Sequence, residues 1–179
     1  IEEEPDSIIS GYYISSSLLI ALGEDENMVG IENKAKSRNI YKLSASHLID
    51  LPNVGTAKAF DLEGAVKLNP DLVILPYKLK DIATNLEQLG IDVIYVQPET
   101  QESLEEMIAL LGKVTNNAEK ADKLLNFIHD EVDAMKNIVK SASKPTVYMA
   151  GNSSLLSTAG PKMYQHTLIE NAGGVNVAN

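Results

Sequence analysis

The chain carries a single arginine, Arg38, within a polar stretch from Glu32 to His47 that also holds Lys34, Lys36 and Lys42. Glu32 is the only acid in that stretch. A guanidinium offers a planar fork of donors suited to carboxylate or phenolate-type oxygens, and its charge is permanent. Lys58, Lys78 and Lys80 place further positive charge on neighbouring segments. An acidic chain that gathers cations at one rim focuses an anionic ligand there, although lysines are also ordinary residents of surface loops. Tyr12, Tyr13 and Tyr77 add stacking area and a phenolic hydroxyl each, which suits a flat or catecholate-like ligand. Asn152, in the polar run Gly151-Asn152-Ser153-Ser154, is a further polar candidate.

Other chemistries lack their residues. There is no cysteine among the 179 residues, so disulfides, thiolate metal sites and Cys nucleophiles are excluded, while exported and cytosolic settings both stay open. GxGxxG, GxxxxGK[ST] and GxSxG are all missing, which removes support for a nucleotide cradle or a serine elbow. His47, His129 and His166 are dispersed and form a metal site only if folding gathers them. Asp and Glu outnumber Lys and Arg by 25 to 15, for a net charge of −10, and there is no tryptophan. A nucleic-acid duplex repels such a surface, and aromatic stacking platforms for bases are scarce. No apolar run approaches the roughly 20 residues that span a bilayer. The chain opens at Ile1 rather than Met, which reads as a mature or trimmed product.

The elements that must position these residues alternate between short apolar runs and helix-period segments. Strands are expected at Ser7–Ser10, Met28–Ile31, Asp71–Leu75 and Ile91–Val96. Helices are expected over Ser15–Leu22 with a stop at Gly23, from a cap at Asp61 to about Leu68, over Asp81–Leu89 and over Glu102–Leu111. Glu32–His47 reads as a long polar loop. Continuous apolar strands alternating with helices predict a doubly wound parallel sheet covered on both faces, an α/β fold. In such a sheet ligands sit beyond the carboxyl ends of the strands, where Tyr12, Tyr13, Arg38, Lys58 and Tyr77 all fall.

The rest of the chain is organised differently. Ala121, Leu125, Ile128, Val132, Met135 and Val139 form one helical stripe within a Gly- and Pro-free segment, which predicts a long surface helix or a rigid strut over 116–143. Residues 144–179 read as one βα unit with no later strand to complete a sheet. The expected organisation is an α/β lobe over 1–115, the linker helix, and the start of a second α/β lobe. A lone βα unit buries its apolar faces poorly, so the chain looks truncated and prone to self-association.

The stretches Ala21-Leu22-Gly23, Met28-Val29-Gly30-Ile31, Leu51-Pro52-Asn53-Val54-Gly55 and Asp61 through Ile74, with Asn69-Pro70-Asp71-Leu72-Val73 inside it, resemble a known family. Leu89-Gly90-Ile91-Asp92-Val93, Leu111-Gly112, Thr158-Ala159-Gly160 and Ala172-Gly173-Gly174-Val175-Asn176-Val177-Ala178 continue the resemblance in order. The family is that of substrate-binding proteins of ABC importers, in the class carrying ferric siderophores, haem and vitamin B12. The resemblance implies two α/β lobes joined by one helix, with the ligand in the cleft between them, and a second lobe extending past Asn179. It implies no enzymatic activity and no resident cofactor. Location would be the periplasm, or the outer face of the cytoplasmic membrane as a lipoprotein. Their positions at strand ends put Tyr12, Tyr13, Arg38, Lys58, Tyr77 and Asn152 at the ligand site of such a protein. The resemblance also implies that Glu63, in the first turn of its helix, docks onto the ABC permease, although a carboxylate there also simply favours the helix dipole. A tetrapyrrole- or metal-handling enzyme of chelatase type, with His47 or His166 on the metal, is the alternative.

Overall fold

The computed structural model describes residues 4–151 and 154–178. They divide into two compact units, one of Ile1–Gln97 with Ala109–Ala121, the other of Pro98–Ile108 with Asp122–Asn179.

The first unit is built on four parallel strands: β1 (Ile8–Ser10), β2 (Met28–Ile31), β5 (Leu72–Pro76) and β6 (Asp92–Val96), in the order β2-β1-β5-β6. The two central strands are buried throughout, with Ile8, Ile9 and Leu72 to Leu75 removed from solvent. The unbroken apolar sequence of β5, and Ile8-Ile9 in β1, are what strands covered on both faces require. Edge strand β6 shows mixed burial and begins at the exposed Asp92. Helix α1 (Tyr13–Leu22) carries the chain from β1 to β2, and α4 (Lys80–Gln88) carries it from β5 to β6. The first crossover builds outward from β1 in one direction and the second builds outward from β5 in the other. The strand order therefore reverses between β1 and β5, which opens a crevice at their carboxyl ends.

Local signals fix the element ends. Gly23 adopts the left-handed conformation (φ 77°), its N–H donates to the Ile20 carbonyl (3.0 Å), and the Glu24 N–H donates to that of Leu19 (2.9 Å). This pair of hydrogen bonds is the Schellman closure that a C-terminal glycine permits. Asp61 caps α3 (Leu62–Lys67) by accepting from the Gly64 N–H at 2.9 Å.

Glu32–His47 is not the loop expected from its polarity. It folds into a 3₁₀ turn at Ala35–Ser37, helix α2 (Asn39–Ser44) and the start of another 3₁₀ turn at Ser46–Asp50. Ala35, Tyr41 and Ala45 are buried within this segment and Leu48 just after it, and their burial helps offset the entropy of ordering an otherwise polar stretch. After it, the short antiparallel hairpin of β3 (Gly55–Thr56) and β4 (Ala59–Phe60) leads into α3.

Helices α5 (Gln101–Val114) and α6 (Ala118–Val139) each pass from one unit into the other. On α6, Ala121 is buried, Leu125, Ile128, Val132 and Val139 are partly buried, and Met135 is exposed. In the second unit, His129 Nε2 lies 3.1 Å from Glu105 Oε2. Against the upward push of burial, hydrogen bonds from Gln101 and His129 hold the Glu105 carboxyl below its ordinary range.

The last segment gains an element over the expectation. Strand β7 (Thr146–Val147) and α7 (Tyr164–Asn171) are followed by β8 (Val175–Asn176), which pairs with β7 in parallel. The Val175 N–H donates to the Pro145 carbonyl (2.8 Å) and the Val177 N–H to that of Val147 (3.1 Å). A closed βαβ unit thus stands where a lone βα unit was expected. Buried Asn176 holds it from inside, donating through Nδ2 to the Ala159 carbonyl at 2.7 Å.

Candidate functional site

At the carboxyl ends of β1 and β2 the chain forms a cavity of about 270 Å³. Its walls are Gly11, Tyr12 and Tyr13 from the β1–α1 turn, Glu32, Asn33 and Lys34 after β2, Arg38, and Gly55, Thr56 and Ala57 of the hairpin. Gly11 lies flat on the sheet, its N–H donating to the Ile74 carbonyl at 2.9 Å. A Cβ there would stand 2.8 Å from Leu75 Cδ2. The hairpin wall is latched to the β2 end by the Asn33 N–H, which donates to the Gly55 carbonyl at 2.9 Å.

Three of the expected residues meet here. The Tyr12 and Tyr13 rings stand edge to face with centroids 5.1 Å apart. The Arg38 guanidinium carbon lies 4.4 Å from the Tyr13 ring centroid, within the range of a cation–π contact. Lys58 occupies the turn of the hairpin next to Ala57 and is exposed. Tyr77 does not line this cavity. It follows β5 and packs edge to face on Tyr95 of the neighbouring strand, centroids 5.7 Å apart, with Lys80 Nζ 5.5 Å from its own centroid. Asn152 lies outside the described residues. Glu63 is exposed in the first turn of α3.

The residues that organise the cavity from below were not singled out by sequence. Arg38 is not an unpaired loop cation: its Nε–H donates to Glu32 Oε1 at 2.7 Å. Glu32 is only 6% exposed. The same Oε1 accepts from the Tyr41 hydroxyl at 3.0 Å, and Oε2 accepts from the Ser16 hydroxyl at 2.9 Å. Beneath them, Ser15 Oγ donates to the Tyr12 carbonyl at 2.7 Å. The charge that Arg38 offers a ligand is therefore largely cancelled at contact distance, and the excess positive charge of the stretch rests on its lysines. Burial, together with the adjacent Glu32 charge, pushes the Tyr41 phenol up to about 12, so it stays a protonated donor at any physiological pH. The available signal was Ser15-Ser16-Ser17 inside an otherwise apolar helix: hydroxyls on a packed helix face need acceptors.

The histidines are not gathered. His47 Nε2 sits 3.2 Å from the Asp25 carbonyl and forms a surface group with Asp25 and Glu26, one ligand atom from each lying within 4.8 Å of the others. His129 pairs with Glu105, and His166 Nδ1 is 3.2 Å from Asn176 Nδ2. Among the described residues no helix is long and apolar enough to cross a membrane.

A parallel sheet with reversed strand order and a largely apolar, aromatic-edged cavity at its carboxyl edge is the architecture of a small-molecule binding lobe. The chain belongs to the periplasmic binding protein family, whose model matches residues 8–179. It is 25% identical to the petrobactin-binding protein YclQ of Bacillus subtilis over 183 residues, covering 100% of this chain and 56% of YclQ. It is 28% identical to the vitamin B12-binding protein of Salmonella typhi over 129 residues, 71% of this chain and 48% of that protein. The crystal structure of a periplasmic solute binding protein from Veillonella parvula superposes with a TM-score of 0.80 at 28% identity, covering 100% of this chain and 56% of that one. The chain thus spans about half the length of the curated relatives it matches.

Proposed function

We propose that this chain supplies one lip of a binding site for a ferric siderophore or a related metal chelate or tetrapyrrole, haem and cobalamin included, and presents that cargo to an ABC permease. The observation that carries the reading is the convergence of Tyr12, Tyr13 and Arg38 on one cavity at the carboxyl edge of the sheet. At about 270 Å³ the cavity accepts an edge or a substituent of such a ligand rather than the whole of it. A shared lip fits that size. The names of the relatives, petrobactin-binding and vitamin B12-binding, support capture of a chelate over turnover. Neither named relative favours a metal-handling enzyme using His47 or His166.

Within this reading, 1–115 form the first lobe, 116–143 the linking helix and 144–179 the start of the second lobe. Lys58, Tyr77 and Asn152 are further ligand contacts in this proposal. The protein works in the periplasm or, as a lipoprotein, on the outer face of the cytoplasmic membrane. Glu63, exposed on α3, is the contact to the permease.

Equilibrium titration with a ferric tris-catecholate, haemin and cyanocobalamin, followed by absorbance and tyrosine fluorescence, tests the reading, alongside uptake by cells carrying the cognate permease. One of these probes should bind, and Glu63→Ala should leave its affinity within about twofold while slowing uptake several-fold. No binding by any probe would overturn the ligand class. Loss of affinity in Glu63→Ala in step with uptake would remove Glu63 from the docking surface.

Self-association of the 179-residue chain is a further part of the proposal. It is supported by the exposed Leu155, Leu156, Leu168 and Val177 around a sheet of only two strands. Light scattering should report a mass above the monomer at micromolar concentration, and a strict monomer would refute it.

A further inference from the structure

We infer that Glu32 is the positioning and specificity-determining residue of this site. It neutralises Arg38 and aims its guanidinium, so that the lip selects ligands by stacking and directed hydrogen bonds and disfavours highly charged polycarboxylates. The inference rests on reading the cavity as a ligand lip and adds the charge class that the lip accepts.

Three observations lead to it. First, Glu32 is 6% exposed although it opens the most basic stretch of the chain. Its two oxygens are held by donors from separate segments: Ser16 on α1, Tyr41 on α2, and Arg38 just before α2. A carboxylate gripped from three sides has one orientation, and it is a fixed template for whatever pairs with it.

Second, Arg38 uses Nε for this bond, at 2.7 Å. The two terminal nitrogens of the fork are outside that contact, on a side chain that is 27% exposed and lines the cavity. Third, the guanidinium is stacked 4.4 Å from the centroid of Tyr13. Bonded on one edge and covered on one face, it has lost most of the rotamer freedom of a loop arginine.

The electrostatic consequence follows from distance. Two opposite unit charges in contact act, on a ligand several ångströms away, as a dipole and not as a net charge. Lys34 is then the cation lining the cavity that stands outside the pair. A lip of this kind rewards a flat group with hydrogen-bond acceptors on its rim. It gives little extra to a compact polycarboxylate, whose clustered carboxylates lose more hydration than one lysine repays.

Arg38 is the only arginine, so its side-chain Nε–H gives a single, assignable NMR signal. In the wild-type chain this proton should exchange with water at least tenfold more slowly than in free arginine. Citrate, used as a trianionic probe, should bind weakly, with a Kd above about 1 mM. E32Q keeps the size of the side chain and removes the charge; it should tighten citrate binding at least fivefold and speed Nε–H exchange. E32D keeps the charge and shortens the reach, so exchange should quicken while citrate binding stays weak. A merely structural role for Glu32 would not separate the two variants in this way.

Wild-type exchange as fast as free arginine, citrate binding below about 0.1 mM by the wild type, or equal citrate affinity in wild type and E32Q would each overturn the inference. The two wild-type measurements decide it even if neither variant folds. None of these readouts needs a cognate chelate, so failure of the chelate titrations with these results upheld would count against the proposed function alone.

Discussion

Replacing Arg38 by alanine should cost about 2–3 kcal/mol of folding stability with no ligand present. The change strands Glu32, which is buried, charged and left with only the Ser16 and Tyr41 hydroxyls as partners. Removing one member of a buried ion pair typically costs about 3–5 kcal/mol, and the partial exposure of Arg38 brings the expectation below that range. Read from the sequence alone, Arg38→Ala should weaken only ligand binding, by about 1–2 kcal/mol, as for a partly screened surface contact. The Glu32 pairing adds a loss to the unliganded protein. Combining Arg38→Ala with Glu32→Gln should recover more than half of that loss, because the second change removes the stranded charge. Urea unfolding of the wild type, both single variants and the double variant measures each corner of the cycle. If Arg38→Ala unfolds within about 0.5 kcal/mol of the wild type, Glu32 is hydrated and not buried as described.

Gly55→Ala should be worse, at about 3 kcal/mol or more. Gly55 sits at φ 89°, in the region L side chains rarely enter, and a Cβ would collide with the Ala59 carbonyl oxygen and crowd the Asp61 N–H. Conformational strain of this kind costs about 1–3 kcal/mol, and a clash against backbone adds to it because the hairpin strands cannot part without losing their pairing. Gly90 offers an internal control: its φ is 80°, but nothing lies within 4 Å of the added carbon. Gly90→Ala should cost only the conformational part, about 1 kcal/mol. Thermal unfolding of the two variants separates strain from collision, and equal losses would show that the hairpin yields freely. Because Gly55 also latches the hairpin to Asn33, the same variant should weaken probe binding at the cavity.

The central strands were legible because burial on both faces leaves no room for polar alternation. Leu72-Val73-Ile74-Leu75 has no polar residue to mislead, and β5 runs Leu72–Pro76. The ends at Gly23 and Asp61 were legible because capping chemistry is local. The site was legible only in part. Strand-end logic placed Tyr12, Tyr13 and Arg38 together, and they do line one cavity, since their loops follow β1 and β2, which are neighbours in the sheet. The same logic added Tyr77, which the strand order carries instead toward β6 and Tyr95. Glu32 and Tyr41 were hidden because charge counting treats every loop residue as solvated. Nothing within a few residues of Glu32 announces that Ser16 and Tyr41 will meet it. Strand β8 was hidden by its length, since two residues after a Gly-Gly pair carry no periodic signal.

The position of β1 in the sheet has a consequence for the order of assembly. It is the first strand among the described residues, and its two neighbours, β2 and β5, both follow it in sequence. On the β5 side the join is sealed by Ser7 and Asp71, 64 residues apart, with the Asp71 carboxylate accepting from the Ser7 N–H at 3.0 Å and from its hydroxyl at 2.9 Å. Until that partner emerges, Ile8 and Ile9 have only one flank covered, and closing so long a loop is a slow step in folding. The apolar opening of the sheet is therefore an exposed, adhesive edge for as long as the chain is unfinished.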